Sequence, residues 1–69
     1  MTDRHPATQA LLDFFAYDHL PADLAEVSAP FSALAHTVAD TLSGPEATVA
    51  LRKLLEAKDC AVRAAVAAR

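Results

Sequence analysis

Apolar residues recur along the middle of the chain at Leu24, Val27, Phe31, Leu34, Ala35, Val38 and Leu42. Steps of mostly three and four residues predict an amphipathic helix, placed over 21–42. Pro21 suits the first helical turn. Pro30 falls inside the pattern, where it removes a backbone donor and crowds the preceding turn. Ser28 could cap a helix restarted there. The apolar phase runs through Pro30 unbroken, so one kinked helix is the preferred reading. A second helical pattern follows at Leu51, Leu54, Leu55, Val62, Ala65 and Val66, placing a helix over 46–69.

Between them stands Ser43-Gly44-Pro45-Glu46, which holds the only glycine of the chain. Glycine just past one helix and proline at the opening of the next predict a short turn over 43–46. The helices would be roughly 30 and 35 Å long at about 1.5 Å per residue. Similar lengths and a short turn predict an antiparallel hairpin, and the fold class expected is all-α.

Residues 1–20 read as an N-terminal strap. Thr8 to Phe15 has the residues for a short helix, with Leu11, Leu12, Phe14 and Phe15 as its apolar side chains. Then Phe15, Tyr17 and His19 alternate, and in an extended stretch they would share one side. Three rings at that spacing, just before a helix, predict an ordered strap across the hairpin.

At 69 residues the chain is a single domain whose own core would be marginal. Cys60 is the only cysteine, so no intrachain disulfide forms, and it reads as a small buried residue in a reducing compartment. His5, His19 and His36 are too scattered for zinc spacing, so neither metal nor cofactor is expected. Much of the apolar content is alanine, which favours close helix approach but buries little area. Oligomerisation is the remaining source of stability. No apolar run is long enough to span a membrane, and 1–10 lacks the regions of a signal peptide, so a cytoplasmic protein is expected.

Charge divides the chain. Arg4 stands against Asp3, Asp13, Asp18, Asp23, Glu26, Asp40 and Glu46 up to residue 50, a balance of −6. From Leu51 onward Arg52, Lys53, Lys58, Arg63 and Arg69 face Glu56 and Asp59, a balance of +3. A net charge of −3 argues against binding DNA or RNA polymers, which draw affinity from many phosphate contacts. A small anion in a local basic pocket stays open.

Arg52, Glu56, Asp59 and Arg63 form one stripe of alternating charge. It is either a solvated ladder or a device in which carboxylates orient an arginine for phosphate. Lys58 falls on the apolar stripe between Leu55 and Val62. It either snorkels from the hairpin edge or aims its ammonium into a pocket. Tyr17 either packs on the hairpin or stacks on a base. His19 and His36 fit structural hydrogen bonds. No phosphate loop, nucleophile elbow or paired-His motif supports catalysis.

FAYDHLPADLAEVSAPFSALA at 15–35 and TVALRKLLEAKDCAVRAA at 48–65 together resemble the helical hairpin domain of phage anti-CBASS sponges. That domain is shared with sponges that counter Thoeris defence. The resemblance implies a homo-oligomer, typically a homohexamer, acting in immune evasion within the cytoplasm of the infected bacterial host. It would bind cyclic oligonucleotide signals between protomers and sequester them without cleavage. The ligands implied are cyclic dinucleotides such as cyclic GMP-AMP, and in some members cyclic trinucleotides. Thoeris-type relatives carry an additional β-rich region for which this chain has no room. Tyr17 stands in the aromatic element, and Tyr17, His19, Lys53, Lys58 and Arg63 are the expected ligand-binding residues. The alternative is a ligand-free structural or interaction module, in which the basic helix pairs with the acidic half of a neighbouring copy.

Overall fold

The computed structural model describes residues 6–69 and holds three helices among them: α1 (Pro6–Asp13), α2 (Ala22–Thr41) and α3 (Pro45–Ala67). No strand occurs among the described residues, so the chain is all-α as expected. The first five residues of the expected strap lie outside the described ones. α2 and α3 pair as the hairpin, and α1 packs on both. The body measures 39 × 21 × 16 Å, an elongated shape set by the length of α3.

α2 runs through Pro30 as one element. The reason is where Pro30 sits. Pro30 cannot donate to the Glu26 carbonyl one turn earlier, but both residues are exposed, so water can serve that carbonyl. On the same outer face, side chains bond back to the helix. Thr37 Oγ1 donates to the Ala33 carbonyl at 3.1 Å, and His36 Nδ1–H donates to the Ser32 carbonyl at 2.8 Å. His36 therefore takes the structural role expected of it.

The buried face of α2 lies elsewhere than its large apolar residues suggest. Leu24, Ser28, Ser32 and Ala35 are buried, while Leu34 and Leu42 are 51% and 59% exposed. At about 100° per residue, Ser28, Ser32 and Ala35 form a small-residue stripe, and Leu34 lies well to its side. Small side chains let helices approach closely, so the stripe faces the pairing surface. Ser28 is not a cap: it sits mid-helix, fully buried, with its hydroxyl lacking a hydrogen-bond partner.

The core is a cluster of Leu12, Phe15, Ala35 and Leu51, with Leu11, Phe31, Val38, Ala39, Leu54 and Leu55 against it. One residue comes from each of α2 and α3, and two from α1 and the turn after it. α1 is thus the third wall of a core that the hairpin alone could not close.

The turn follows the chemistry of Gly44-Pro45. α2 ends at an extended Leu42, whose amide donates to the Val38 carbonyl at 3.0 Å. Gly44 precedes α3 with φ 93° and ψ 179°, a conformation open essentially to glycine alone, and Pro45 supplies the first helical φ. No atom lies within 4 Å of where a Gly44 Cβ would stand. Gly44→Ala should therefore cost about 1–3 kcal/mol from backbone strain alone. Urea unfolding of the variant checks this, and an unshifted midpoint would mean that the turn relaxes into another conformation.

The far end of the hairpin is held by charge. Arg69 grips Asp23 with two hydrogen bonds of 2.9 and 2.7 Å, across 46 residues of sequence. Asp23 also lies in the first turn of α2, where the helix dipole favours an anion. The hydrogen bonds from Arg69 hold the Asp23 carboxyl below its ordinary value, partly opposed by desolvation. A lowered folded-state pKa stabilises the fold above the unfolded carboxylate pKa, and that stability is lost as pH falls through the lower folded value. Both groups are exposed, so the gain is modest and salt-sensitive. The melting temperature of Asp23→Asn should fall below wild type at neutral pH. The gap should close as pH drops below about 4, the ordinary carboxylate range. A gap independent of pH would place the effect outside this pair.

Candidate functional site

The segment from Phe14 to Pro21 is built from turns rather than an extended strap. α1 tightens at its end, with the amides of Phe14, Phe15 and Ala16 bonding the carbonyls three residues back at 3.1, 2.9 and 3.3 Å. A second turn is closed by the Leu20 amide on the Tyr17 carbonyl at 3.0 Å. The alternation of Phe15, Tyr17 and His19 therefore does not put them on one side. Phe15 is fully buried, Tyr17 half-buried and His19 exposed. Asp18 and His19 occupy the corner of the Tyr17–Leu20 turn, where a short polar residue such as Asp18 is favoured. Phe14, next to the deeply buried Phe15, is 63% exposed.

Lys58 ties this segment to α3. Its Nζ donates to the Phe14 carbonyl at 2.9 Å and lies 2.9 Å from Asp59 Oδ1. It also lies 6.0 Å from the centroid of the Phe15 ring. The Lys58 side chain is only 13% exposed. Its position on the apolar stripe of α3 explains this, since that stripe turns toward α1 and the core. The Phe14 carbonyl lies just past the end of α1, where helical carbonyls lack intrahelical partners and cations are favoured. The ammonium is thus engaged by protein groups, with one of its three donors left over.

The charged stripe of α3 departs from a simple ladder. Asp59 pairs with Lys58, and Arg63 Nη2 donates to Cys60 Sγ at 3.3 Å. Cys60 is exposed rather than buried. Lys58 and Arg69 are matched by Asp59 and Asp23. Among the described residues, Arg52, Lys53 and Arg63 have no carboxylate within ion-pair distance, and all three are exposed.

Lys53, Lys58 and Arg63 are spaced by five residues each. Five residues turn a helix by about 140° and advance it by about 7.5 Å. The three cations therefore do not converge: Lys58 turns toward α1, while Lys53 and Arg63 face outward about 80° apart around α3 and about 15 Å apart along it. One protomer does not bring all of them together with Tyr17. It brings Lys58 to the Phe14–Tyr17 segment and leaves Lys53, Arg63 and His19 facing outward.

Arg69 was not among the expected site residues, and its pairing with Asp23 carries no sequence signal beyond opposite charge at the two far ends of a hairpin. Among the described residues no three His, Cys, Asp or Glu side chains converge as metal ligands. No helix is long and apolar enough to cross a membrane. No family model, curated protein or solved structure matches this chain.

Proposed function

We propose that this protein is a phage anti-defence sponge that binds cyclic oligonucleotide messengers and sequesters them uncleaved, blocking CBASS immunity. The observation that supports this best is the contact between the two segments that carry the resemblance. They are far apart in sequence, yet Lys58 of the LRKLLEAKD run lies 6.0 Å from the centroid of the Phe15 ring, the first residue of FAYDHLP, and donates to the Phe14 carbonyl just before it. The turn that carries Tyr17 is thereby held against the basic helix, and a cyclic dinucleotide presents two bases that suit a ring and two phosphodiester anions that suit cations.

In this reading Tyr17 stacks on a base and His19 borders the ligand. Lys53 and Arg63, exposed and without carboxylate partners, neutralise phosphates. Because these cations do not converge on α3, the site is completed by a second copy of the chain, within the homo-oligomer that the resemblance implies. The apolar side chains left exposed at Leu34, Leu42 and Val66 fit a protomer that packs against others. The ligand class extends to cyclic trinucleotides if the assembly offers a second kind of site.

Calorimetric titration with cyclic GMP-AMP tests the assignment of Tyr17. Tyr17→Ala should weaken binding by about 1–3 kcal/mol, the usual worth of one base–aromatic stack, while the variant keeps its helical circular dichroism. Unchanged affinity would remove Tyr17 from the site. The second reading, a ligand-free interaction module, draws on the acidic first half of the chain facing unpaired Arg52, Lys53 and Arg63 of another copy. It predicts salt-sensitive self-association and no heat with any cyclic nucleotide.

A further inference from the structure

We infer that Lys58 is a positioning residue that locks the turn carrying Tyr17 onto α3, rather than a cation that holds ligand phosphate. The geometry argues for this in three ways. The ammonium already donates to the Phe14 carbonyl and pairs with Asp59, both at 2.9 Å. It lies against the Phe15 ring, whose side chain is wholly buried in the core. And its side chain is 13% exposed, in contrast to the outward-facing Lys53, so a ligand would find Lys53 open and Lys58 engaged.

The consequence runs through the backbone. α1 ends at Asp13, and the chain must turn sharply twice before α2 begins at Ala22. Buried Phe15 anchors the first turn from below, and Lys58 holds the carbonyl just before it. Tyr17 follows two residues later and opens the second turn, through its carbonyl bond to the Leu20 amide. Without the ammonium, the Phe14 carbonyl loses its cationic partner and the end of α1 frays. Tyr17 would then sample several positions, and a base would pay to order it. The lock thus leaves the stacking ring ordered before a ligand arrives.

This inference rests on the sponge reading only where it concerns ligand affinity, because the lock itself is visible in the ligand-free protein. Tyr17 is the only tyrosine and the chain has no tryptophan, so intrinsic fluorescence reports this turn alone. In Lys58→Met, which keeps the apolar stem and removes the charge, acrylamide quenching of Tyr17 should rise about twofold. Exchange of the Ala16 and Leu20 amides should quicken about tenfold, as for a lost charge-assisted hydrogen bond. Lys58→Arg should restore both toward wild type. Affinity for cyclic GMP-AMP should fall about tenfold in Lys58→Met and recover in Lys58→Arg.

Wild-type quenching and exchange in a folded Lys58→Met overturn the lock. A loosened turn with wild-type affinity overturns its part in binding. If Lys58→Met does not fold, the wild-type protein decides by nuclear magnetic resonance of its two lysines, Lys53 and Lys58. The Lys58 ammonium protons should exchange with water far more slowly than those of Lys53, and equal rates overturn the lock. A locked turn in a wild type that binds no cyclic di- or trinucleotide supports the lock and removes the sponge reading.

Discussion

Phe15→Ala is expected to lower the unfolding free energy by about 3–5 kcal/mol, the usual cost of emptying a buried aromatic site. Phe15 has no exposed surface and contacts a core shared by all three helices. A domain of 69 residues has a total stability of roughly 3–10 kcal/mol, so this one change removes a large fraction of it. The effect should be larger than the side chain alone implies for the site. Phe15 is the anchor of the turn that carries Tyr17, and its ring also lies beside the Lys58 ammonium. Urea unfolding followed by circular dichroism measures the loss. Phe14→Ala is the internal control: that ring is 63% exposed, and its removal should change stability by within about 0.5 kcal/mol. Equal losses from the two neighbours would contradict a buried Phe15 beside an exposed Phe14.

Leu51→Ala is the second large effect, about 2–5 kcal/mol. Leu51 is 1% exposed on the inner face of α3 and meets Leu12, Phe15 and Ala35. It differs from Phe15 in what fails first. Phe15 belongs to the α1 side, so its loss should loosen α1 while part of the hairpin survives. Leu51 joins α3 to both α1 and α2, so its loss should lower the unfolding midpoint of the whole chain in one transition. Amide exchange separates the two. Phe15→Ala should accelerate α1 ahead of α2 and α3, and Leu51→Ala should accelerate all three together. Uniform acceleration in both variants would mean that α1 is not a separable wall.

The hairpin was legible because its two helices repeat apolar residues at helical spacing and Gly44-Pro45 punctuates them. The match of turn chemistry to structure is close: glycine takes a conformation closed to other residues, and proline opens α3. The continuity of α2 through Pro30 was also legible, from the unbroken phase. What the pattern hid was the buried face of α2. Ser28 and Ser32 are polar by type, yet they lie on the pairing surface, where small size matters more than hydrophobicity. Leu34 and Leu42 are apolar by type, yet they lie to the side of that surface.

The candidate site was legible only in the placement of one side chain. The placement of Lys58 on the apolar stripe followed from spacing, and its partly buried side chain agrees with that placement. Its partner did not follow, because a backbone carbonyl carries no sequence signal. The segment around Tyr17 is not the extended strap its spacing suggests. Its alternating rings suggested a strand-like side, but local hydrogen bonds three residues apart fold it into turns and send Phe15 inward. The Asp23–Arg69 pair was out of reach for a related reason, since either group had several possible partners until the hairpin register was fixed.

The proposed function requires that a cyclic oligonucleotide be held and released unchanged. The most direct measurement is equilibrium dialysis of the protein against cyclic GMP-AMP, followed by heat denaturation of the complex and chromatography of what is released. A sponge should show saturable retention and quantitative recovery of intact cyclic GMP-AMP. Linear products in the released fraction, or no retention across cyclic di- and trinucleotides, would contradict it.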